Sequence, residues 1–201
     1  MGLMESFERV GRVERKTFET DISLTFRIDG TGNTSLSTGV PFLEHMLDLF
    51  AKHGHFDLEV KAKGDIEIDD HHTVEDIAIC LGQALRQALG DKRGIRRYGN
   101  SFVPMDETLG QVVIDLSNRP HLEFRAEFPC QQVGTFSTEL VHEFFWKLAI
   151  EARMNLHVIL HYGRNTHHMI EALFKALGRA LDEATQIDPR VTDVPSSKGV
   201  L

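Results

Sequence analysis

Two copies of the pattern His-His-x-x-Glu carry the side chains in this sequence that are best suited to hold metal ions. The first copy spans residues 71–75, and the second spans residues 167–171, which is 96 positions later. The residues that follow also agree at Leu, Gly, Ala and Leu. Imidazole nitrogen and carboxylate oxygen are ligands of divalent transition metals. The repeated pattern therefore predicts a duplicated fold that carries two matched metal sites.

The spacing within each copy predicts how the ligands divide between ions. Residues four positions apart share a helix face, so the first His and the Glu of each copy can bind one ion. Adjacent histidines diverge by about 100° on a helix, so His72 is poorly placed to share an ion with His71. We therefore expect two metal ions, each with ligands from both copies. Nitrogen and carboxylate ligands without thiolate suit manganese, iron or zinc better than calcium or magnesium.

One further ligand in each half is predicted from the order of the elements. Aligning residues 56–60 with residues 156–158 places His45 opposite Glu143, the residue that follows His142. The alignment favours Glu143, but the residues alone leave the choice between these two neighbours open. By symmetry, the ligands of the two ions are His71, Glu75, His168 and either His142 or Glu143 for one, and His167, Glu171, His72 and His45 for the other.

The hydrophobic pattern predicts the elements that must position these ligands. In the first half, alternation predicts strands at 12–15, 21–28 and 56–62, and helical spacing predicts helices at 41–53 and 72–89. The second half repeats the pattern, with strands at 112–116, 122–128 and 156–161 and helices at 137–153 and from 167 to about 185. This order predicts an α+β fold made by tandem duplication, with two sheets packed on a central layer of helices.

The duplication also predicts the boundaries of the parts. The first half covers residues 7–95, the second covers 96–188, and a Pro-, Ser- and Gly-containing tail covers 189–201, all within one compact domain. Gly82 and Gly178 occupy matching positions of the two repeated helices. Their small size predicts that these two helices approach one another closely.

Charge and composition limit the classes of function. The formal net charge of −8 argues against a surface that binds nucleic acid, and a small anionic substrate would need a local basic pocket. No apolar run reaches the length of a membrane span, and the N-terminus lacks a signal-peptide pattern. The cysteine content is low, at two residues, which fits a reducing compartment. We therefore predict a cytoplasmic protein with neither nucleic acid nor membrane as a partner.

Four motifs together give the chain a specific resemblance. They are STGVPFLEHML at 37–47, DDHHTVED at 69–76, NTHHMIEA at 165–172 and PSSKGVL at 195–201. With this combination the chain resembles the imidazoleglycerol-phosphate dehydratases of histidine biosynthesis, in their monofunctional form, over roughly residues 9–201. The resemblance implies two packed halves, each with a mainly four-stranded sheet and two helices. It also implies two Mn²⁺ ions per active site, with sites built between the subunits of a 24-subunit shell.

The reaction implied by the resemblance is the removal of water from D-erythro-imidazole glycerol phosphate, which gives imidazole acetol phosphate. The chain would then be a carbon–oxygen lyase of the hydro-lyase class. Metal coordination at both ring nitrogens lowers the pKa of the ring N–H and favours a metal-bound imidazolate. An electron-rich ring of this kind can expel hydroxide from the neighbouring side-chain carbon.

The resemblance also assigns roles to individual residues by motif. Acid–base catalysis falls on Glu171, with His72 as a participant, and Glu19 both contacts the substrate and shares in the proton transfers. The residues that match phosphate-contacting positions are Arg97, Arg119, Lys198 and, as a hydroxyl donor, Ser197. Arg binds phosphate through paired hydrogen bonds and Lys as a flexible point charge. These residues supply the basic pocket that an anionic substrate needs.

Other interpretations of the motifs remain open at this point. The local pair His142-Glu143 departs from many relatives, in which Glu and His are exchanged. A metal-storage module would also use repeated His and Glu, but it would not need residues that bind phosphate. A dinuclear hydrolase would need an open coordination position for a metal-bound water, and it leaves the match to a two-nitrogen ring unexplained.

Overall fold

The first half contains one mixed sheet and two helices. The computed structural model describes residues 8–199 and 201, so the predicted boundary at residue 7 and Val200 of the last motif lie outside the described residues. The elements are β1 (Val10–Lys16), β2 (Thr20–Arg27), β3 (Thr34–Ser37), α1 (Pro41–Gly54), β4 (Asp57–Gly64) and α2 (His71–Leu89). The strand order is β1-β2-β4-β3, and β3 runs parallel to β4.

The second half repeats this topology. Its elements are β5 (Tyr98–Met105), β6 (Thr108–Asp115), β7 (His121–Arg125), β8 (Gln132–Val133), β9 (Phe136–Ser137), α3 (Glu139–Glu151), β10 (Asn155–Tyr162) and α4 (Thr166–Thr185). The main sheet has the order β5-β6-β10-β7, with β7 parallel to β10, and β8 and β9 form a short hairpin before α3. The predicted α+β fold with two similar sheets is confirmed.

Two edge strands, β3 and β5, were absent from the sequence prediction. Strand β5 contains Gly99 and Pro104, which are disfavoured in the middle of a sheet. Pro104 is tolerated because β5 lies at the sheet edge. Gly99 is required because α4 packs against the strand, where an added Cβ would lie 1.9 Å from the carbonyl oxygen of Ala180. The tertiary position of β5 therefore explains residues that locally argue against a strand.

The four helices form the layer between the two sheets. Helix α2 covers β1 and β2, and α4 covers β5 and β6. Helices of opposite halves also pack in pairs, α1 with α4 and α2 with α3. Each repeated helix therefore lies beside a helix of the other half. Among the residues that the structure describes, no helix is both long and apolar enough to cross a membrane.

Two glycines permit this close helix packing. A Cβ at Gly178 would lie 2.4 Å from the carbonyl oxygen of Phe50 in α1, and a Cβ at Gly82 would lie 2.9 Å from the backbone nitrogen of Ala152 after α3. These distances are shorter than van der Waals contact allows, and both of these atoms belong to the backbone, although a Cβ at Gly82 would also meet Cβ of Glu151 at 2.7 Å. Close packing is therefore present at both glycines, but the predicted partner was wrong: Gly178 faces α1 and Gly82 faces α3, and not the other repeated helix.

We expect Gly178→Ala to lower the melting temperature, because the added methyl group must push α4 away from the backbone of α1. The cost of overpacking should be on the order of 1–3 kcal/mol. Scanning calorimetry measures this change against Arg179→Ala, an exposed position one residue further along α4. Equal melting temperatures for wild type and Gly178→Ala would contradict the tight packing of α4 on α1.

Candidate metal and substrate site

The first cluster of possible metal ligands lies where α2 meets α3, and it consists of His71, Glu75 and Glu143. Nε2 of His71 lies 3.6 Å from Oε2 of Glu75, one helical turn away. Glu143 approaches from α3, and the ligand atoms of all three side chains lie within 4.8 Å of one another. The side chain of Asp69 accepts the backbone N–H of His71 at 2.8 Å, which orders the first turn of α2. The first cluster can therefore offer one nitrogen and carboxylate oxygens to a single ion.

The second cluster lies where α4 meets α1, and it consists of His45, His167 and Glu171. Oε2 of Glu171 lies 3.1 Å from Nε2 of His167 and 3.4 Å from Nε2 of His45. The side chain of Asn165 caps α4 by accepting the backbone N–H of His167 at 3.0 Å. Each cluster thus combines the first His and the Glu of one copy with a residue from the other half.

Each cluster also contains a lysine that the sequence prediction missed. Nζ of Lys147 lies 2.7 Å from Glu75 and 3.4 Å from Glu143. Nζ of Lys175 lies 2.5 Å from Glu171. The spacing could have predicted these lysines, because each follows a cluster glutamate by four residues on the same helix. The lysines partly neutralise the carboxylates that the clusters bring together.

Glu171 is the most enclosed of these ligands, with 7% of the residue exposed. Burial by itself raises the pKa of its carboxyl group. The hydrogen bond and charge of Lys175, together with the hydrogen bond of His167 and the charge of His45, outweigh burial and hold this pKa below its ordinary value. The carboxyl group is therefore ionised at neutral pH, the state that can bind a metal ion or accept a proton.

The second histidine of each copy points away from the clusters, as the divergence of adjacent helical residues predicts. Nδ1 of His72 lies 3.0 Å from Oδ2 of Asp65, and Nδ1 of His168 lies 2.9 Å from Oε2 of Glu107. These hydrogen bonds raise the pKa of both histidines. On its other side, Nε2 of His72 lies 3.6 Å from Oε1 of Glu19. Within residues 8–199, neither histidine joins a cluster of its own chain.

His142 takes a different environment from its neighbour Glu143. Its ring packs against Phe124 of β7 and against Trp146, with centroid distances of 5.2 and 6.4 Å. Since adjacent helical residues diverge, the rotation of α3 that turns Glu143 toward α2 turns His142 toward the second sheet. Of the two neighbours left open by the sequence, the structure brings Glu143 to the first cluster.

Arg97 and Arg119 share one carboxylate. Arg97 forms paired hydrogen bonds with Asp115, with distances of 2.6 Å for Nε to Oδ1 and 3.1 Å for Nη2 to Oδ2. The hydrogen bonding and charge of Asp115 raise the pKa of Arg97. Nη2 of Arg119 lies 3.6 Å from the same carboxylate, and its side chain is largely exposed. Asp115, which the sequence prediction missed, therefore sets the relative positions of two predicted phosphate-binding cations.

A buried lysine holds the turn that leads to Arg119. Nζ of Lys92 donates to the carbonyl oxygen of Leu116 at 3.1 Å and to Oδ1 of Asn118 at 2.8 Å. Burial lowers the pKa of Lys92 to about 8. The sequence prediction did not include Lys92, because its role depends on contacts made more than twenty residues away along the chain.

The C-terminal tail is tied to the second half through Arg97. Nη1 of Arg97 donates to the carbonyl oxygen of Pro195 at 2.8 Å. Ser197 and Lys198 follow in a turn, in which the backbone N–H of Lys198 bonds to Oγ of Ser196 at 3.2 Å. One arginine thus connects the tail, with its predicted hydroxyl and ammonium donors, to the carboxylate that also faces Arg119.

Comparison with known proteins supplies the family. The family model described as "Imidazoleglycerol-phosphate dehydratase" matches residues 38–181. The chain belongs to the imidazoleglycerol-phosphate dehydratase family. The dehydratase of Halalkalibacterium halodurans is 73% identical over 193 residues, covering 96% of this chain and 100% of the relative. That of Bacillus subtilis is 73% identical over 198 residues, covering 98% and 100%. The expected family and hydro-lyase class are confirmed.

Solved structures of this dehydratase family share the fold described above. The Staphylococcus aureus enzyme has a TM-score of 0.81 at 44% identity, and the match covers 89% of this chain and 99% of that one. The Pyrococcus furiosus enzyme in complex with (S)-C348 has a TM-score of 0.82 at 37% identity, with coverage of 94% and 100%. The duplicated sheet-and-helix arrangement is therefore the fold of imidazoleglycerol-phosphate dehydratases.

We expect Glu143→Gln to weaken the binding of a divalent ion such as Mn²⁺ by about tenfold or more, because the amide removes a negative charge from the first cluster. His142→Gln is the matched control one residue away, and it should leave metal affinity unchanged. Titration calorimetry with Mn²⁺ measures both effects. A loss of affinity in His142→Gln, with none in Glu143→Gln, would assign the ligand to His142 instead.

Proposed function

We propose that this chain catalyses the dehydration of D-erythro-imidazole glycerol phosphate to imidazole acetol phosphate in histidine biosynthesis. The observation that carries the proposal is the pair of matched His and Glu clusters, each built from both halves of a chain in this family. Two similar sites suit an imidazole ring, because the ring has two nitrogens that can each bind one ion.

The donor sets of the clusters fit two Mn²⁺ ions. Each cluster gathers imidazole and carboxylate groups, and neither contains a thiolate, which suits manganese, iron or zinc, and the family resemblance favours manganese among them. The second histidines, His72 and His168, would add Nε2 ligands. When bound, the two ions would supply Lewis acidity to the ring, which would lower the pKa of the ring N–H and favour the imidazolate form.

Three side chains are proposed to move the protons of the reaction. The hydroxyl group on the side-chain carbon beside the ring leaves with a proton as water, the next carbon loses a proton, and the resulting enol becomes the ketone. Glu171 offers a buried carboxylate whose Oε2 faces its cluster and whose Oε1 faces Lys175. Oε1 of Glu19 lies 3.6 Å from Nε2 of His72, so Glu19 faces the side of the ring that is proposed to bind metal, and His72 takes part through Nδ1, which Asp65 holds. One group can then remove a proton while another donates one.

The phosphate group is assigned to cations of the second half and the tail. The proposed contacts are Arg97, Arg119, Ser197 and Lys198. Asp115 fixes the guanidinium of Arg97, and the tail is anchored at Pro195. These residues place positive charge locally in a chain whose formal net charge is −8. A protein that only stores metal would have no use for this arrangement, which favours an enzyme with a phosphorylated substrate.

The active sites are proposed to form between the subunits of a 24-subunit shell, as the family resemblance implies. His72 and His168 direct their Nε2 atoms away from the clusters of their own chain. Each of these Nε2 atoms is therefore proposed to complete a cluster of a neighbouring copy. Assembly would then depend in part on the metal ions.

We expect the Mn²⁺-loaded protein to convert imidazole glycerol phosphate to the ketone, which can be followed by the absorbance of its enol in alkali. Removal of metal with a chelator should abolish turnover, and added Mn²⁺ should restore it. Absence of turnover in protein that is assembled and contains Mn²⁺ would overturn the proposed function.

We expect Glu171→Gln to reduce kcat by at least about 100-fold, because an amide cannot take up the transferred proton. Metal content and particle mass should be measured in parallel, so that lost chemistry is separated from lost assembly. Glu183→Gln, further along α4, is the matched control, since its amide oxygen can still accept the N–H of Asn100. A Glu171→Gln variant that retains most of its activity would exclude Glu171 from proton transfer.

A further inference from the structure

Two carboxylates outside the metal clusters make the same contact with the second histidine of each copy. Both oxygens of Asp65 lie near Nδ1 of His72, at 3.2 and 3.0 Å. Oε2 of Glu107 lies 2.9 Å from Nδ1 of His168. A carboxylate accepts the proton of Nδ1, so the lone pair of each ring lies on Nε2, the nitrogen that faces outward.

Glu107 is itself held in place by the start of α4. Its Oε1 accepts the backbone N–H groups of Arg164 and Asn165, at 3.1 and 2.7 Å. Its Oε2 is therefore aimed at His168 by bonds that do not involve the histidine. Asp65 has its backbone N–H bonded to the carbonyl oxygen of Glu19 at 3.1 Å. Both carboxylates have fixed positions from which they can orient a ring.

The two carboxylates do not occupy equivalent positions in the duplication. Glu107 precedes Thr108 at the start of β6, as Glu19 precedes Thr20 at the start of β2. Asp65 follows the end of β4, and the equivalent residue after β10 is Gly163. The same histidine contact is thus supplied from different elements in the two halves. The duplication alone therefore does not explain why both histidines have this contact, which indicates that each histidine needs it.

We propose that Asp65 and Glu107 are positioning residues of the metal centre. Each fixes the tautomer and the orientation of the second histidine of its copy, so that Nε2 is presented as a metal ligand. Hydrogen bonds of this kind to metal-binding histidines typically change metal affinity by about 10–100-fold when they are lost. The proposal rests on the metal sites of the proposed function and adds residues that contact neither metal nor substrate.

The difference between the glutamates before β2 and β6 follows from this assignment. Because Asp65 already occupies Nδ1 of His72, Glu19 is left at the Nε2 side, where it is proposed to meet the substrate. In the second half, Glu107 stands at the position equivalent to Glu19. It contacts Nδ1 of His168, and its proposed role is to orient that ring.

The test compares Glu107→Gln and Asp65→Asn with wild type in Mn²⁺ affinity. A glutamine at 107 has one acceptor oxygen and cannot serve both the backbone N–H groups and Nδ1. The NH₂ group of that glutamine would favour the tautomer of His168 with the proton on Nε2, and a protonated Nε2 cannot bind metal. We expect the dissociation constant for Mn²⁺ in assembled protein to rise about 10–100-fold, and kcat to recover at saturating Mn²⁺. Asp65→Asn should behave alike without disturbing the cap of α4.

Glu123→Gln is the matched control, because this carboxylate on β7 bonds to Arg125 and not to a second histidine of either copy. It should bind Mn²⁺ as wild type does. Unchanged Mn²⁺ affinity in both Glu107→Gln and Asp65→Asn would overturn the proposal. So would a loss that is matched by a lower melting temperature of metal-free protein and persists at saturating Mn²⁺. A wild-type protein that binds no Mn²⁺ would instead overturn the proposed function.

Discussion

The angular step of the α-helix is the constraint on which this site depends. Because neighbouring residues diverge by about 100°, a His-His pair at the start of a helix must face two directions. His71 and His167 each join a Glu one turn later on their own helix. Their neighbours, His72 and His168, turn outward to carboxylates on other elements. Each copy of the repeat therefore serves two environments, a cluster shared with the other half and a carboxylate on another element.

Helix packing between the halves turns these local pairs into clusters. Because α1 packs on α4 and α2 on α3, His45 reaches Glu171 and Glu143 reaches Glu75 across the boundary between halves. The glycine at 178 brings α4 against the backbone of α1, where a side chain would force the helices apart. Each cluster therefore forms only when the halves pack together, since each combines residues of both halves.

Basic side chains lie beside the carboxylates of the clusters and beside Asp115. Lys147 and Lys175 lie beside cluster glutamates, and both lysines belong to the second half, on α3 and α4. Arg97 is likewise paired with Asp115 while it holds the tail. In both cases an ion pair orients a charged group and lowers the cost of burying it. A chain with an overall negative charge can therefore present organised cations to a phosphorylated substrate.

The sequence by itself determined the features that follow from local periodicity. These are the helices, most of the longer strands, the i, i+4 ligand pairs and the divergence of adjacent histidines. Motifs added the family. Only the tertiary structure shows that Glu143, and not His142, reaches the first cluster, because the rotation of α3 against α2 depends on packing over the whole interface. It alone revealed Asp65 and Glu107, whose contacts join elements that are not equivalent in the repeat. Periodicity describes one element at a time, whereas these choices depend on the registers at which elements meet.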